Sequence, residues 1–415
     1  MAFVSPFQRS QTLAVNERIR ARIAAGRDVV HLAFGEAGLP VHPMLKECLA
    51  RAAEAHGYPP VGGTPTLLKA VAGYFGRRRL ASDTETLVAG PGSKPLLYAL
   101  TLAVDGDLVL PLPAWVSYAP QAILARKAVI RVPVPREAGG VPDPDLLEGA
   151  IAGARRAGRR PAILMLTVPD NPTGTVASRA LLGRVCAIAR SEGLLVVSDE
   201  IYRDLAHEPD AFVSPAELYT EGTVVTGGIS KSLSVGGWRL GFARMPQNEL
   251  GQGLARTLTD LASEIWSGTT VPVQEAAAAA LDEPPEIVDY VARGRRLHAR
   301  VVTALHEVLV GSGARCRRPE GAFYAYPELS APAFTSAAAL AVFLLDRHDI
   351  AVLPGDAFGD DPAALRFRLA TSLLYVSTDA QRLEAMSAED PAALPWIARS
   401  LERVGSALSS LRVQG

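Results

Sequence analysis

The chain reads as an α/β protein with a large domain on a mostly parallel sheet and a smaller α+β domain. Three observations lead there. Short apolar runs rich in Val, Leu and Ile recur: "DLVLPLP", "AVIRVPV", "PAILMLTVP", "GLLVVSDE" and "GTVVTGGIS". Continuous runs of this kind suit strands buried on both faces, as parallel strands are. Helical patterns such as "SRALLGRVCAIARSEG" separate some of them, which is the alternation of a sheet covered by helices. Finally, the texture changes after about residue 285. There "IVDYVARGRRLHARVVTALHEVLVGSG" has the spacing of a long amphipathic helix, followed by short strand signals and the terminal helix "PAALPWIARSLERVGSALSSLRV". The expected division is residues 46–285 for the large domain, and residues 1–45 with 286–415 for the small one. A chain of 415 residues is long enough for two domains and a large core.

Taken in order, "HPMLKECLARAAEAHG" has helical spacing, with Gly57 expected at its C-terminal end. "ETLVAGPGSKPLLYALTLAV" reads as strand, glycine turn and helix, and the alternation then continues to "GTVVTGGIS". The Ala-rich "EAAAAALDEPPE" is a helix and its stop.

Composition excludes several classes. The formal charge is −1 and the arginines are scattered, so neither nucleic acid nor an anionic membrane is an expected partner. Cys48, Cys186 and Cys316 are an odd, widely spaced set without a CxxC, which points to reduced thiols in a cytoplasmic setting and to no structural metal. The stretch "MAFVSPFQRSQTLAVNERIRARIAAG" meets charge at Arg9 and lacks the apolar core of a signal peptide. No run approaches bilayer length.

In a doubly wound sheet, ligands sit beyond the carboxyl ends of strands. Four such ends carry a polar or aromatic residue here. Trp115 follows "DLVLPLP", Asn171 follows "PAILMLTVPD", Asp199 and Tyr202 follow "GLLVVS", and Lys231 follows "GTVVTGGIS". One Asp after a strand is commonly a helix cap, but four coinciding ends are harder to explain that way. The chain has only five lysines: Lys46, Lys69, Lys94, Lys127 and Lys231. Lys46 and Lys69 fall on polar helix faces and Lys127 in a polar connection, whereas Lys231 stands between Gly227, Gly228, Gly236 and Gly237. Glycines on both sides suggest close backbone approach. A lysine in such a place is either an ion-paired structural residue or a desolvated amine that can form a Schiff base with a carbonyl. Arg239, eight residues on, supplies a fork suited to phosphate.

"SDEIYRDL", "SKSLSVGGWRLG", "DNPTG" and "RFRLATS" together resemble the class I/II aminotransferases, pyridoxal-phosphate enzymes of fold type I. The resemblance runs from about Phe34 to Ser372, in that family's order and approximate spacing. It implies a large domain with a sheet of the seven-stranded type and pyridoxal 5'-phosphate as cofactor. It also implies that Lys231 is the internal aldimine lysine and proton shuttle. Asp199 would pair with the pyridine nitrogen and keep it protonated, so that the ring can accept electrons. Tyr202 and Asn171 would bind the ring's phenolic oxygen, and Trp115 would stack on the ring, although it also fits as core filler. The backbone N–H groups of Ser93 and Lys94, at the start of a helix, would point at the phosphate, and Arg239 would close that cup. Tyr58 fits the pattern Tyr-x4-Gly with Gly63, which implies a homodimer whose active sites are shared through this tyrosine.

On the substrate side, the resemblance gives Arg366 the α-carboxylate of the amino acid, six residues before Ser372, with Arg368 as the alternative two residues on. Gly35 would place a backbone N–H near the same carboxylate. The implied activity is amino transfer between an L-amino acid and a 2-oxo acid. The alternative is another reaction of the same cofactor on this fold: oxidation, β- or γ-elimination, or cyclisation, such as a specialised pathway would use. A non-catalytic ligand sensor would instead predict an appended basic domain and loss of Lys231 or Asp199. Three positions depart from the family pattern. Gly228 replaces the usual hydroxyl residue three before the lysine, Gly236 replaces the usual threonine, and "GEAGLP" replaces Gly-Glu-Pro-Asp. A looser phosphate cup and an altered substrate-side loop are therefore expected.

Overall fold

A computed structural model describes residues 11–375 and 378–413. Residues 1–10, 376–377 and 414–415, expected in the small domain, lie outside the described residues.

Among the described residues the main sheet has seven strands. In spatial order they are Leu87–Gly90, Gly241–Arg244, Thr223–Gly228, Leu195–Asp199, Pro161–Thr167, Asp107–Leu112 and Val129–Pro133. Every pairing is parallel except those of Gly241–Arg244, which runs antiparallel to both its neighbours. That strand is the one element of the sheet with no sequence signal, since "GFAR" is four residues long and follows the Gly-Trp-Arg stretch directly. Its pairing sets Gly241 opposite both Gly90 and Gly228, so three glycines lie side by side across neighbouring strands.

Helices cover the sheet as the apolar patterning predicts. Arg179–Ser191 starts at an Ser178 cap, whose hydroxyl accepts from the Leu181 N–H, and buries Leu181, Leu182, Val185, Cys186 and Ala189. The helix expected to end at Gly57 spans Pro43–Arg51 instead. Ala52 caps it, and the Ala53 and Ala55 amides bond carbonyls three residues back, so the helix unwinds before the glycine is reached.

A second, smaller assembly gathers around the 27-residue helix Pro285–Gly311. Leu297, Val301, Leu305 and Leu309 on its buried face join Val30, Leu32, Ile397, Leu401 and Val404 in one core cluster. Val30–His31 pairs in parallel with Ile350–Ala351, and Leu353–Pro354, Phe367–Ala370 and Tyr324–Ala325 form an antiparallel sheet. No helix among the described residues is long and apolar enough to cross a membrane.

One backbone contact ties this assembly to the main sheet. Gly174, in the loop that carries Asn171, has φ +72°, and a Cβ there would lie 2.2 Å from the Tyr324 carbonyl oxygen. The Gly174 carbonyl in turn accepts from the Glu320 and Gly321 amides at 2.8 and 2.9 Å. Gly174→Ala should therefore lower stability by about 2 kcal/mol or more, from left-handed strain plus the clash. Gly183→Ala, in helix Arg179–Ser191 where nothing lies within 4 Å of the added carbon, should raise it by about 0.5–1 kcal/mol. Urea midpoints at constant slope measure both, and equal effects would discard the contact as a constraint.

Candidate active site

Register builds the first part of the site. Thr167 and Asp199, the last residues of their strands, are register partners, and Asp199 pairs in turn with Thr226, two residues before the end of the next strand. The Thr226 hydroxyl donates to Asp199 Oδ1 at 3.2 Å and the Tyr118 hydroxyl donates to Oδ2 at 2.9 Å. Tyr118 also lies 2.8 Å from the Thr167 hydroxyl. Burial pushes the Asp199 carboxyl up to about 6, and the two hydroxyl donors pull it back. Asp199 is therefore a buried carboxylate near neutral pH, with both oxygens oriented.

Beyond the end of strand Thr223–Gly228, Lys231 donates from Nζ to the Gly35 carbonyl at 2.6 Å and lies 5.7 Å from the Tyr202 ring centre. Burial, with the neighbouring Arg368 charge, lowers its amine to about 8. Tyr202 is buried, its hydroxyl 2.7 Å from that of Tyr324 and 3.5 Å from Asn171 Nδ2. Arg368 closes the cluster. It donates to Asn171 Oδ1 at 3.2 Å and to the Ala33 carbonyl at 2.6 Å, and its guanidinium lies over the Tyr324 ring at 5.0 Å. Its buried Nε has no partner.

A cup lies at the start of helix Ser93–Ala103, where no side chain caps the first N–H groups, those of Ser93 and Lys94 among them. Gly92 precedes them at φ +95°, and a Cβ there would fall 2.2 Å from Arg239 Nη2. Arg239 is held over this turn by bonds to the Gly236 and Pro91 carbonyls, at 2.7 and 3.2 Å. Trp115 stands edge-on to Tyr118, with centres 5.1 Å apart, and Lys94 Nζ lies 5.0 Å from its ring.

Arg366 does not reach the Lys231 cluster. Just ahead of strand Phe367–Ala370, its guanidinium is captured by Glu328 at 3.0 Å and by Asp360 at 2.9 and 3.1 Å, and its side chain is 37% exposed. Arg368, the alternative two residues on and only 3% exposed, is the arginine that meets Asn171 and Tyr324. Tyr58 is 98% exposed and takes part in none of the cluster's contacts. Lys127 is also not simply solvated, since Nζ bonds the Val104 and Gly106 carbonyls.

Sequence reasoning missed Tyr118, Thr167, Thr226 and Tyr324. The two threonines end apolar strand runs, a signal that register could have exploited, whereas Tyr324 lies in "GAFYAYP" with nothing to mark it. A wide cleft of about 1580 Å³ includes Arg295, Arg300, Arg318 and His207 in its lining but none of the cluster. Chemistry, not volume, marks the site.

Comparison with known proteins agrees with this geometry. The family described as "Aminotransferase class I and II" matches residues 19–374. An aspartate aminotransferase of Geobacillus stearothermophilus is 33% identical over 389 residues, covering 90% of this chain and 95% of that one. An aspartate/prephenate aminotransferase of Cereibacter sphaeroides is 32% identical over 415 residues, covering 94% and 99%. The solved aspartate aminotransferase from Thermus thermophilus with maleate superposes with a TM-score of 0.82 at 28% identity, covering 96% of this chain and all of that one. The mostly parallel seven-stranded sheet and these similarities together define a fold type I transferase. The chain belongs to the class I and II aminotransferases.

The Gly228 departure has a steric cause. A Cβ there would lie 2.8 Å from the Leu240 carbonyl oxygen and 3.0 Å from Gly241 Cα, whereas at Gly236 the nearest atom is 3.6 Å away. Gly228→Ser should lower stability by about 1–3 kcal/mol, while Gly236→Thr should be nearly neutral, as thermal unfolding will show. In the cofactor-free protein, acylation of Lys231 followed by peptide mass spectrometry should reach half its maximum near pH 8. Arg368→Gln should move that midpoint upward, because it removes a positive charge that favours the neutral amine.

Proposed function

We propose that this aminotransferase works with pyridoxal 5'-phosphate held at the Lys231 cluster, moving an amino group between an L-amino acid and a 2-oxo acid. The residues present fit that cofactor. Gly92 leaves room for the Arg239 guanidinium beside uncapped helix N–H groups, which suits a phosphate. Asp199 is a fixed carboxylate suited to a protonated ring nitrogen. Asn171 and Tyr202 are the donors for the ring oxygen, and Trp115 offers a face for the ring. Supporting the reading most directly is the convergence of a depressed lysine, a buried carboxylate and a buried arginine on one site.

Pyridoxal phosphate, when bound, supplies an electron-withdrawing ring that takes up the electron pair left when an amino acid loses its Cα proton. The chain supplies the rest. Lys231, neutral above pH 8, is placed to take up the Cα proton and return it. Arg368 is the two-pronged partner for the α-carboxylate, with Asn171 holding its Nη1 and the Ala33 carbonyl its Nη2. Gly35 brings backbone to the same place, through the carbonyl that Lys231 bonds.

Relatives named for aspartate place that amino acid first in a substrate panel. We further propose a homodimer in which the exposed Tyr58 of one protomer completes its partner's phosphate cup. The expected division at residues 46–285 then describes a large dimerising domain and a small domain carrying Arg368. The free thiols of Cys48, Cys186 and Cys316 support a reducing, cytoplasmic setting.

Borohydride should bleach the yellow enzyme and leave the cofactor label on Lys231. A label elsewhere, or products other than a 2-oxo acid and the transaminated acceptor, would sink the proposal. Arg368→Lys should reduce kcat/KM for the amino acid roughly ten- to a hundredfold with cofactor content unchanged. Arg366→Lys should change it little, and the reverse order would return the carboxylate to Arg366. Mixing Tyr58→Ala with Lys231→Ala subunits should restore part of the activity, and no recovery despite subunit exchange would remove the shared site.

A further inference from the structure

Tyr324, like Asn171, touches both Tyr202 and Arg368 and so meets both halves of the site. Its hydroxyl is 2.7 Å from that of Tyr202, on the cofactor side. Its ring carries the Arg368 guanidinium at 5.0 Å, on the carboxylate side. The same hydroxyl occupies the space beside Gly35, where a Cβ would come within 2.2 Å of it. Its carbonyl limits the Asn171 loop through Gly174. The residue is fully buried and sits on the small antiparallel sheet, while Tyr202 follows a strand of the large one.

We propose that Tyr324 is a positioning residue that locks the cofactor-side phenol of Tyr202 and the substrate arginine Arg368 into one register, donating its hydroxyl proton to the Tyr202 oxygen. This rests on the cofactor reading above. The direction of donation follows from charge. Two phenols cannot both point a proton along one 2.7 Å link, so one proton is left over. Burial raises both phenols, so both keep their protons near neutral pH. Tyr324 has the Arg368 cation on its ring face, which makes it the more acidic phenol and the better donor. Arg368 lowers Tyr202 as well, but burial raises that phenol well above its usual range, which makes it the better acceptor. Its own proton is then free to turn toward the site. The charged groups that act on Lys231 are Arg368, Glu36, Arg239 and Asp199, and none of them changes in Tyr324→Phe or Tyr324→Leu.

The test separates the hydroxyl from the ring. Tyr324→Phe keeps the ring and removes the donor, and the pH-dependent absorbance of the bound cofactor reads the result. The Tyr202 hydrogen bond to the ring oxygen favours the deprotonated form of the chromophore. Weakening it should shift the titration midpoint upward, by roughly half a pH unit. The amino-acid KM should stay unchanged, because Arg368 keeps its support. Tyr324→Leu removes the ring as well and should raise that KM roughly five- to twentyfold. An unchanged or downward midpoint in Tyr324→Phe would overturn the donation. Equal KM values in the two variants would overturn the support of Arg368. If Tyr324→Leu does not fold, Arg368→Lys in wild-type and Tyr324→Phe backgrounds replaces it, and unequal losses of kcat/KM would overturn the separation of hydroxyl from ring. Wild-type enzyme that bound no cofactor would fail the underlying reading, whereas a normal wild type with an unresponsive Tyr324→Phe fails only this inference.

Discussion

The site depends first on strand register. Thr167, Asp199 and Thr226 can share a row only because three parallel strands pair in this register. A slip of one residue would turn Asp199 to the opposite face of the sheet. The loops that leave these ends then reach the same space, bringing Asn171, Tyr202 and Lys231 together. A carboxyl buried this deeply would protonate if left alone, because low-dielectric surroundings penalise its charge. Two hydroxyl donors oppose that penalty, and the balance near 6 leaves a charge available at neutral pH. The strand ends thus provide both placement and a protonation state.

A second balance governs the cations. Lys231 and Arg368 lie close enough for each charge to be felt by the other, and burial disfavours the lysine's charge further. Arg368 tolerates its position through bonds to Asn171 and Ala33 and through two aromatic faces, Tyr324 and Phe358. One consequence follows from these signs alone. A carboxylate arriving at Arg368 neutralises the charge that depresses Lys231, so substrate binding and lysine basicity are linked. In the proposed reading, the group that binds the substrate would also tune the group that moves its proton.

Much of this was legible in the sequence. Six of the seven strands in the main sheet announce themselves as apolar runs, and the five residues at four strand ends were visible by position. The antiparallel strand Gly241–Arg244 was not, because four residues with a glycine carry too little pattern to separate them from a turn. Arg366 and Arg368 look alike in "RFRLATS", and the choice between them depends on Glu328 and Asp360, which are distant in sequence from the motif or outside it. Tyr324 was invisible for a similar reason. Its importance comes from contacts with residues 122 positions earlier and 44 later, and no local periodicity encodes those.

The glycines explain why the phosphate cup differs from its family pattern. Gly90, Gly241 and Gly228 lie in one row across the sheet, and the Gly92 turn packs directly onto them. A Cβ on Gly241 would come within 2.5 Å of the Ser93 amide nitrogen, and one on Gly90 would meet Leu96 at 2.8 Å. The start of the helix is therefore seated against bare backbone, which lets its N–H groups and Arg239 approach one point. A hydroxyl side chain at Gly228 would have to enter the same row against the Leu240 carbonyl. In this chain, close backbone packing and a hydroxyl ligand at that position compete for one space, and the packing has it. In the proposed reading, the cup would hold a phosphate through the helix N-terminus and Arg239, a combination of aligned amides and one full charge that is sufficient in kind without a further hydroxyl.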